Sequence, residues 1–494
     1  MPLPFGGTEQ WAVFVFEAGT LLLFVAYLFA IKKKRGATER ETPPREQEKT
    51  DVQDDRKNHF PLFPKILLAV FFGFSVFQLI PLPQPFLKVF SPRLFEIYKG
   101  SISAGITELA DKTWHSVSFS PVLSVFELVK LICYGLFAWL VFKCVRRKEQ
   151  IEVFVWVMMA GAVFQAFYGL AEYFSGTNTI FGFKNRWYVG SATGTFINRN
   201  HFSAFLEMVF ALCVGYLLAK ADFFSLKKGI PLKQKILWFG QERLQKAIIF
   251  GLISILIGVG IFFSRSRGGI LSFFGAFFLM IISLSVTGVD KKERISREKR
   301  FARIVRTVTL IIIFSVLLIG IKPILERFSL EVLEAEGRPI LYKNTIELIK
   351  DYPLSGTGLG TYIHAYTKYE QKYVRGITDH AHNDYLEVLA ESGLVGGGCL
   401  IAAAFGALGW LFVKWGRRRD YFVKGIGLGC LAGIAAILIH SLSDFSMRMP
   451  ANAVYFVSLY ALAARTVMKM KDQGHEDKDK TAAWKWGSVF VRHR

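Results

Sequence analysis

Apolar residues gather along the chain into runs of about 20, long enough to cross a bilayer as helices. The pattern predicts about eleven transmembrane helices, over approximately residues 11–31, 62–80, 123–142, 151–174, 201–219, 247–263, 268–287, 304–321, 394–413, 423–441 and 451–468. Basic clusters follow alternate spans: Lys32 to Arg35, Arg146 to Lys148, Lys227 to Lys235, Lys291 to Arg300, and Arg417 to Arg419. Cytoplasmic loops carry such an excess of Lys and Arg, so the N-terminus is expected outside and the C-terminus in the cytoplasm.

The predicted fold class is therefore an all-α, polytopic membrane protein. Residues 1–31 hold the first span, and 60–468 form the main membrane domain. Segment 32–59, charged and carrying Pro43-Pro44, is expected to be a disordered cytoplasmic linker. Residues 469–494 are expected to form a basic cytoplasmic tail, with Trp484, Trp486 and Phe490 able to touch the bilayer surface. The outer segments are 81–122, 175–200 and 322–393. The last is too long for a plain connection and is expected to be a partly helical periplasmic lid. Its first helix begins near Pro339 and stops by Pro353. Gly356, Gly358 and Gly360 read as a flexible turn or hinge. A second helical stretch, from Asp384 to about Ser392, leads into the ninth span.

Composition agrees with a bilayer environment: 52% hydrophobic, 15% aromatic, mean hydropathy +0.34. The net charge of +22 follows from basic inner loops, and nucleic acid is not an expected partner. Cys133, Cys144, Cys213, Cys399 and Cys430 lie in or beside apolar runs and imply no disulfide framework.

The candidate chemistry lies on the outer side. Arg265 and Arg267 occupy a tight outer turn, against the positive-inside bias. They read as phosphate-gripping guanidinium groups or as headgroup anchors. His382 is a candidate general base, with Asn383 orienting it or holding a sugar hydroxyl. His380 and His382 would need a third ligand, Asp379, Asp384 or His364, to bind zinc, and no metal or other cofactor is expected. Glu387 and Glu391 face either the same cleft or solvent. Arg338 opens the first lid helix. The run Thr193 to His201 caps a span or binds sugar or phosphate. Glu17, Glu127, Lys130 and Glu207 are costly charges inside the bilayer, with Glu127 and Lys130 spaced to pair.

Several stretches resemble the bacterial O-antigen ligase and O-antigen polymerase superfamily of membrane glycosyltransferases. They are Gln78-Leu-Ile-Pro-Leu-Pro83, Gly194-Thr-Phe-Ile-Asn-Arg-Asn-His201, Ser264-Arg-Ser-Arg-Gly268 and Pro353-Leu-Ser-Gly356-Thr-Gly358. The most specific is His382-Asn383, nine residues, then Gly393-Leu-Val-Gly396. The resemblance implies glycan transfer at the outer face of the inner membrane. The donor would be an undecaprenyl-diphosphate-linked glycan. The acceptor would be a lipid A-core or another glycan, or a protein hydroxyl in an oligosaccharyltransferase. Its essential histidine and arginines fall on His382, Arg267 (or its neighbour Arg265) and Arg338. Asn383, Asn198, Arg199, Asn200 and His201 join Arg265 as candidate substrate-binding residues. Asp384 and the Phe-Ile-Asn-Arg-Asn run look more like the broad family than like lipopolysaccharide ligases, which leaves the acceptor open. The rival function is a transporter or flippase of the same lipid-linked sugar, which would favour inverted repeats and charges at mid-bilayer.

Overall fold

The computed structural model describes residues 4–38, 60–103, 114–220, 242–286, 337–370 and 378–468. Its helices are α1 (Gln10–Thr38), α2 (Leu62–Phe77), α3 (Gln84–Phe90), α4 (Pro92–Ser103), α5 (Pro121–Cys144), α6 (Lys148–Ser175) and α7 (Arg199–Ala219). They continue as α8 (Glu242–Phe263), α9 (Arg267–Val286), α10 (Arg338–Asp351), α11 (Tyr362–Tyr366), α12 (Asp384–Gly416), α13 (Tyr421–His440) and α14 (Pro450–Val467). Two-residue strands pair only locally, Leu82–Pro83 with Trp114–His115 and Thr179–Ile180 with Phe183–Lys184.

Among the described residues seven helices are long and apolar enough to cross a membrane, and Leu62–Phe77 and Ile248–Phe263 are shorter apolar helices. The chain is a multi-pass, all-α membrane protein. The expected span windows coincide with helices wherever they are described; the eighth, 304–321, lies outside the described residues. Two boundaries differ. Helix α1 runs on to Thr38, into the charged segment assigned to the linker. Lys and Arg are good helix formers, and cations favour a helix C-terminus. Helix α2 stops at Phe77 rather than near 80; Gln78 is its C-cap, still helical in φ and ψ, and its side chain binds elsewhere.

Helices α7 and α13 form the central pair, with 94% and 89% of their apolar windows buried, against 6% for α1. Lipid tails offer no hydrophobic drive for helix pairing, so close contact relies on small residues. Gly425, Gly429 and Gly433 supply it: a Cβ at any of them would strike α7 backbone, at Ala219, Ala211 or Met208.

The bundle has two distinct ends. At one, Lys148 pairs with Asp420 at 2.9 Å, Lys220 with Glu152, and Arg418 donates to the Val467 carbonyl. The basic exits of several odd-numbered spans thus share an end. At the other, residues 4–7 fold against the loop before α7 and the start of α14. Gly6 lies on Phe196, Gly7 on Pro450, and Phe5 on Phe183 at 5.9 Å.

The described part of segment 322–393 packs on this second end. Leu341, Leu348, Tyr352, Tyr362, Tyr366 and Ala390 share an apolar cluster with Leu87, Leu94 and Val117. The lid is therefore built from two distant stretches of chain. Gln78, fully buried, fastens them by donating to the carbonyls of Ser355 at 2.6 Å and Glu391 at 2.8 Å.

Candidate functional site

The turn between α13 and α14, Ser441 to Met449, contains two charged residues, Asp444 and Arg448. Each gathers a cluster of opposite charge. Asp444 is fully buried. Its carboxylate accepts from the Phe445 amide at 2.9 Å and from Asn200 Nδ2. His382 Nδ1 stands at 3.2 Å, Arg338 Nη2 at 3.5 Å and His201 Nε2 at 3.7 Å. Burial alone would raise its pKa, but the neighbouring imidazoles of His201 and His382 hold it well below the usual carboxylate range.

His382 is held in the left-handed region at φ 48, uncommon for a residue with a Cβ. The Tyr342 hydroxyl donates to its carbonyl at 2.8 Å. Its ring lies edge-on to Phe445 at 4.9 Å. With Nδ1 taken by Asp444, Nε2 has no partner among the described residues, and the side chain is 30% exposed. Such backbone strain persists where surrounding contacts over-determine it, often at functional sites.

Arg338 begins α10 and donates Nη1 to the Ser443 carbonyl at 2.6 Å, which brings it to the His382 side. Arg267 begins α9. The adjacent Gly268 fits against Ser443 and His440, so the arginine turn abuts the Asp444 turn. Arg265, at φ 55, extends instead toward Gly190. Arg199 stacks over Tyr188 at 5.3 Å and donates to Ser191 at 3.3 Å.

Two of the three asparagines read as substrate contacts, Asn383 and Asn198, cap helices. Asn383 caps α12: its Oδ1 accepts from the amides of Tyr385 and Leu386, and its Nδ2 donates to the Leu442 carbonyl. Asn198 caps α7 by accepting from the Asn200 amide at 2.8 Å. Both satisfy helix-terminal N–H groups that would otherwise be orphaned. The candidates gathered around Asp444 are thus His382, Arg338, Asn200 and His201, with the Arg267 turn alongside.

Arg448 is the counterpart. Its guanidinium meets Glu391 at 2.5 Å, Glu387 at 3.0 Å and Glu127 at 3.9 Å. Burial opposes its charge, but Glu391, Glu387 and Glu127 more than offset that and strengthen its hold on the proton. Glu387 and Glu391 therefore face the protein interior, each 1% exposed. Glu127 also pairs with Lys130 at 2.5 Å, as their spacing predicts. His380 Nδ1 donates to the Glu387 carboxylate at 2.8 Å, so the two histidines of His380-Ala-His382 are divided between separate carboxylates rather than aimed at one point.

The glycine turn is fastened, not hinged. The amides of Thr357 and Gly358 bond the carbonyls of Ala390 and Glu391 at 3.0 and 2.8 Å, and the Leu394 amide bonds the Pro353 carbonyl at 2.8 Å. A Cβ at Gly356 would collide with Glu391, and one at Gly393, which kinks α12 at φ 64, with Leu354.

Asp444 and Arg448 were not singled out by sequence reasoning, and Gln78 entered only as the head of a family-like stretch. The available signal for the first two was a short turn between two spans with one acid and one base in it. Below it, in the bundle, Glu207 meets His440 at 3.1 Å, giving one of the costly intramembrane charges a partner.

Residues 252–401 match the family model described as O-antigen ligase. By that segment the chain is similar to the O-antigen ligase family. The family segment contains Arg265, Arg267, Arg338, His382 and Asn383; Asn200, His201, Asp444 and Arg448 lie outside it. A search of curated proteins found no match. That similarity supports ligase- or polymerase-type glycan transfer in a membrane.

Proposed function

We propose that the protein transfers a glycan from a prenyl-diphosphate carrier, of the undecaprenyl type, to an acceptor hydroxyl at the outer face of the inner membrane. The observation that carries this reading is the His382–Asp444 pair: a buried carboxylate fixes Nδ1 and leaves Nε2 open. Asp444 holds the imidazole in one orientation and steadies the imidazolium that forms.

His382 Nε2 takes the acceptor's O–H proton. The oxygen attacks the anomeric carbon from the face opposite the carrier, and the bond from that carbon to the diphosphate oxygen breaks. The configuration inverts, and carrier diphosphate is released. Arg338, beside His382, and Arg267, on the abutting turn, favour the charge that builds on the leaving group. One lost donor of this kind costs about 3–4 kcal/mol in other enzymes. The diphosphate is already an activated leaving group, so no sugar nucleotide is required.

The test is release of prenyl diphosphate by the full chain in liposomes supplied with lipid-linked saccharide and candidate acceptors. His382→Ala is expected to slow release by about 10²–10⁴-fold. Undiminished transfer by that variant overturns the role. Chain growth from lipid-linked repeat alone would assign polymerisation; transfer only to an added lipid core or protein would assign ligation.

A further inference from the structure

His380 is not used by the chemistry above, yet its setting repeats that of His382. Its Nδ1 meets the Glu387 carboxylate at 2.8 Å, and Glu387 is 1% exposed. Its Nε2 has no partner among the described residues, and its side chain is 27% exposed. Both rings lie against Phe445: His380 is stacked on its face at 4.1 Å, and His382 stands edge-on at 4.9 Å. One phenyl ring therefore spaces two imidazoles, each backed by its own buried carboxylate and each with Nε2 open.

We propose that His380, backed by Glu387, is the second catalytic residue of the transfer, giving its Nε2 proton to the departing diphosphate as His382 takes one from the acceptor. The inference rests on the transferase reading. The step balances. The acceptor O–H proton goes to His382, the new bond joins acceptor oxygen to the anomeric carbon, and the old carbon–oxygen pair of electrons leaves with the diphosphate. That oxygen takes the His380 proton. Exchange of the extra proton on His382 for the one missing from His380, through solvent, resets the pair.

A purely packing role does not account for the arrangement. A hydrocarbon ring would stack on Phe445 as well, and Glu387 already has Arg448 at 3.0 Å and the Ala381 amide at 2.8 Å for partners. The groups facing His380 favour the imidazolium on balance. Burial and Arg448 oppose it; Glu387, through charge and hydrogen bond, and Asp379 outweigh them and raise its pKa above the ordinary value. His201, from α7, also lies within electrostatic reach. An acid of this kind stays protonated to higher pH than a free histidine, and its contribution is lost as pH rises through the raised value.

The experiment compares wild type, His380→Gln and Asp379→Asn, all full-length in liposomes with prenyl-diphosphate-linked saccharide, reading kcat and KM from about pH 6 to about pH 9. His380→Gln is expected to lower kcat by about 10²-fold or more with KM nearly unchanged, and to abolish the alkaline fall in kcat. Asp379 is exposed, so Asp379→Asn should fold, keep the plateau rate and move the alkaline fall to lower pH. Wild-type kcat and an unchanged alkaline fall in His380→Gln overturn the inference alone, as does an unmoved fall in Asp379→Asn should His380→Gln fail to fold. A wild type that releases no prenyl diphosphate with any acceptor overturns the transferase reading and this inference with it.

Discussion

Asp444 and Arg448 lie four residues apart on one turn and are electrostatic opposites. Asp444 is an anion surrounded by donors, and the histidine it holds retains an open nitrogen. Arg448 is a cation surrounded by carboxylates, and its partners are two buried acids of α12 and one of α5. The first arrangement leaves Nε2 of His382 without a partner among the described residues. The second spends its hydrogen bonds on fastening the lid to the bundle. In the proposed mechanism two charged residues of one turn thus serve chemistry in one case and architecture in the other, and His380 joins the two through Glu387.

The comparison predicts different failures. Arg448→Ala leaves Glu387 and Glu391 buried without their cation. Breaking a buried pair from one side costs about 3–5 kcal/mol, so the variant should melt far earlier in detergent or fail to accumulate. A wild-type melting temperature would show that the cluster does not fasten the lid.

Asp444→Asn should keep the fold while weakening the contacts to His382 and Arg338. Because the folded carboxylate is more acidic than an unfolded one, its stabilisation is complete above the ordinary value of about 3.9 and is lost as pH falls through the lower folded value. The stability gap between wild type and Asp444→Asn should therefore narrow below about pH 4. A gap that widens with acid would mean that the folded Asp444 carboxylate is not the stronger acid.

The smallest effect belongs to Asn383→Ala. Loss of the cap should cost about 1 kcal/mol in thermal stability and leave donor KM little changed. A large rise in KM at unchanged stability would restore Asn383 as a substrate contact.

Much of the fold was legible in the sequence because a transmembrane helix announces itself locally, by length and apolar content. The lid helices were legible too, one from Pro339 near its start and the other as the helical stretch from Asp384. His382 and Arg338 were visible through motif and resemblance. What stayed hidden depends on contacts between distant positions. Gln78 looks like an ordinary polar residue at a helix end until Ser355 and Glu391 are brought to it. Asp444 and Arg448 look like an unremarkable loop pair until α7, α10 and α12 converge on them. Gly356 was read as a hinge because glycine permits motion; the same lack of a Cβ permits close backbone contact, and here that second property governs.

The glycine row of α13 carries a mechanical implication. By letting two backbones touch, it joins α7 and α13 into a stiff pillar, and that pillar holds His201 and Asn200 at the head of one helix and Asp444 just past the other. Half of the proposed site is thereby cast in place. The other half, Arg338 at the start of α10 and the two histidines just before α12, is set by the packing of the 337–393 segment, so the two halves of the site take their positions from different helices.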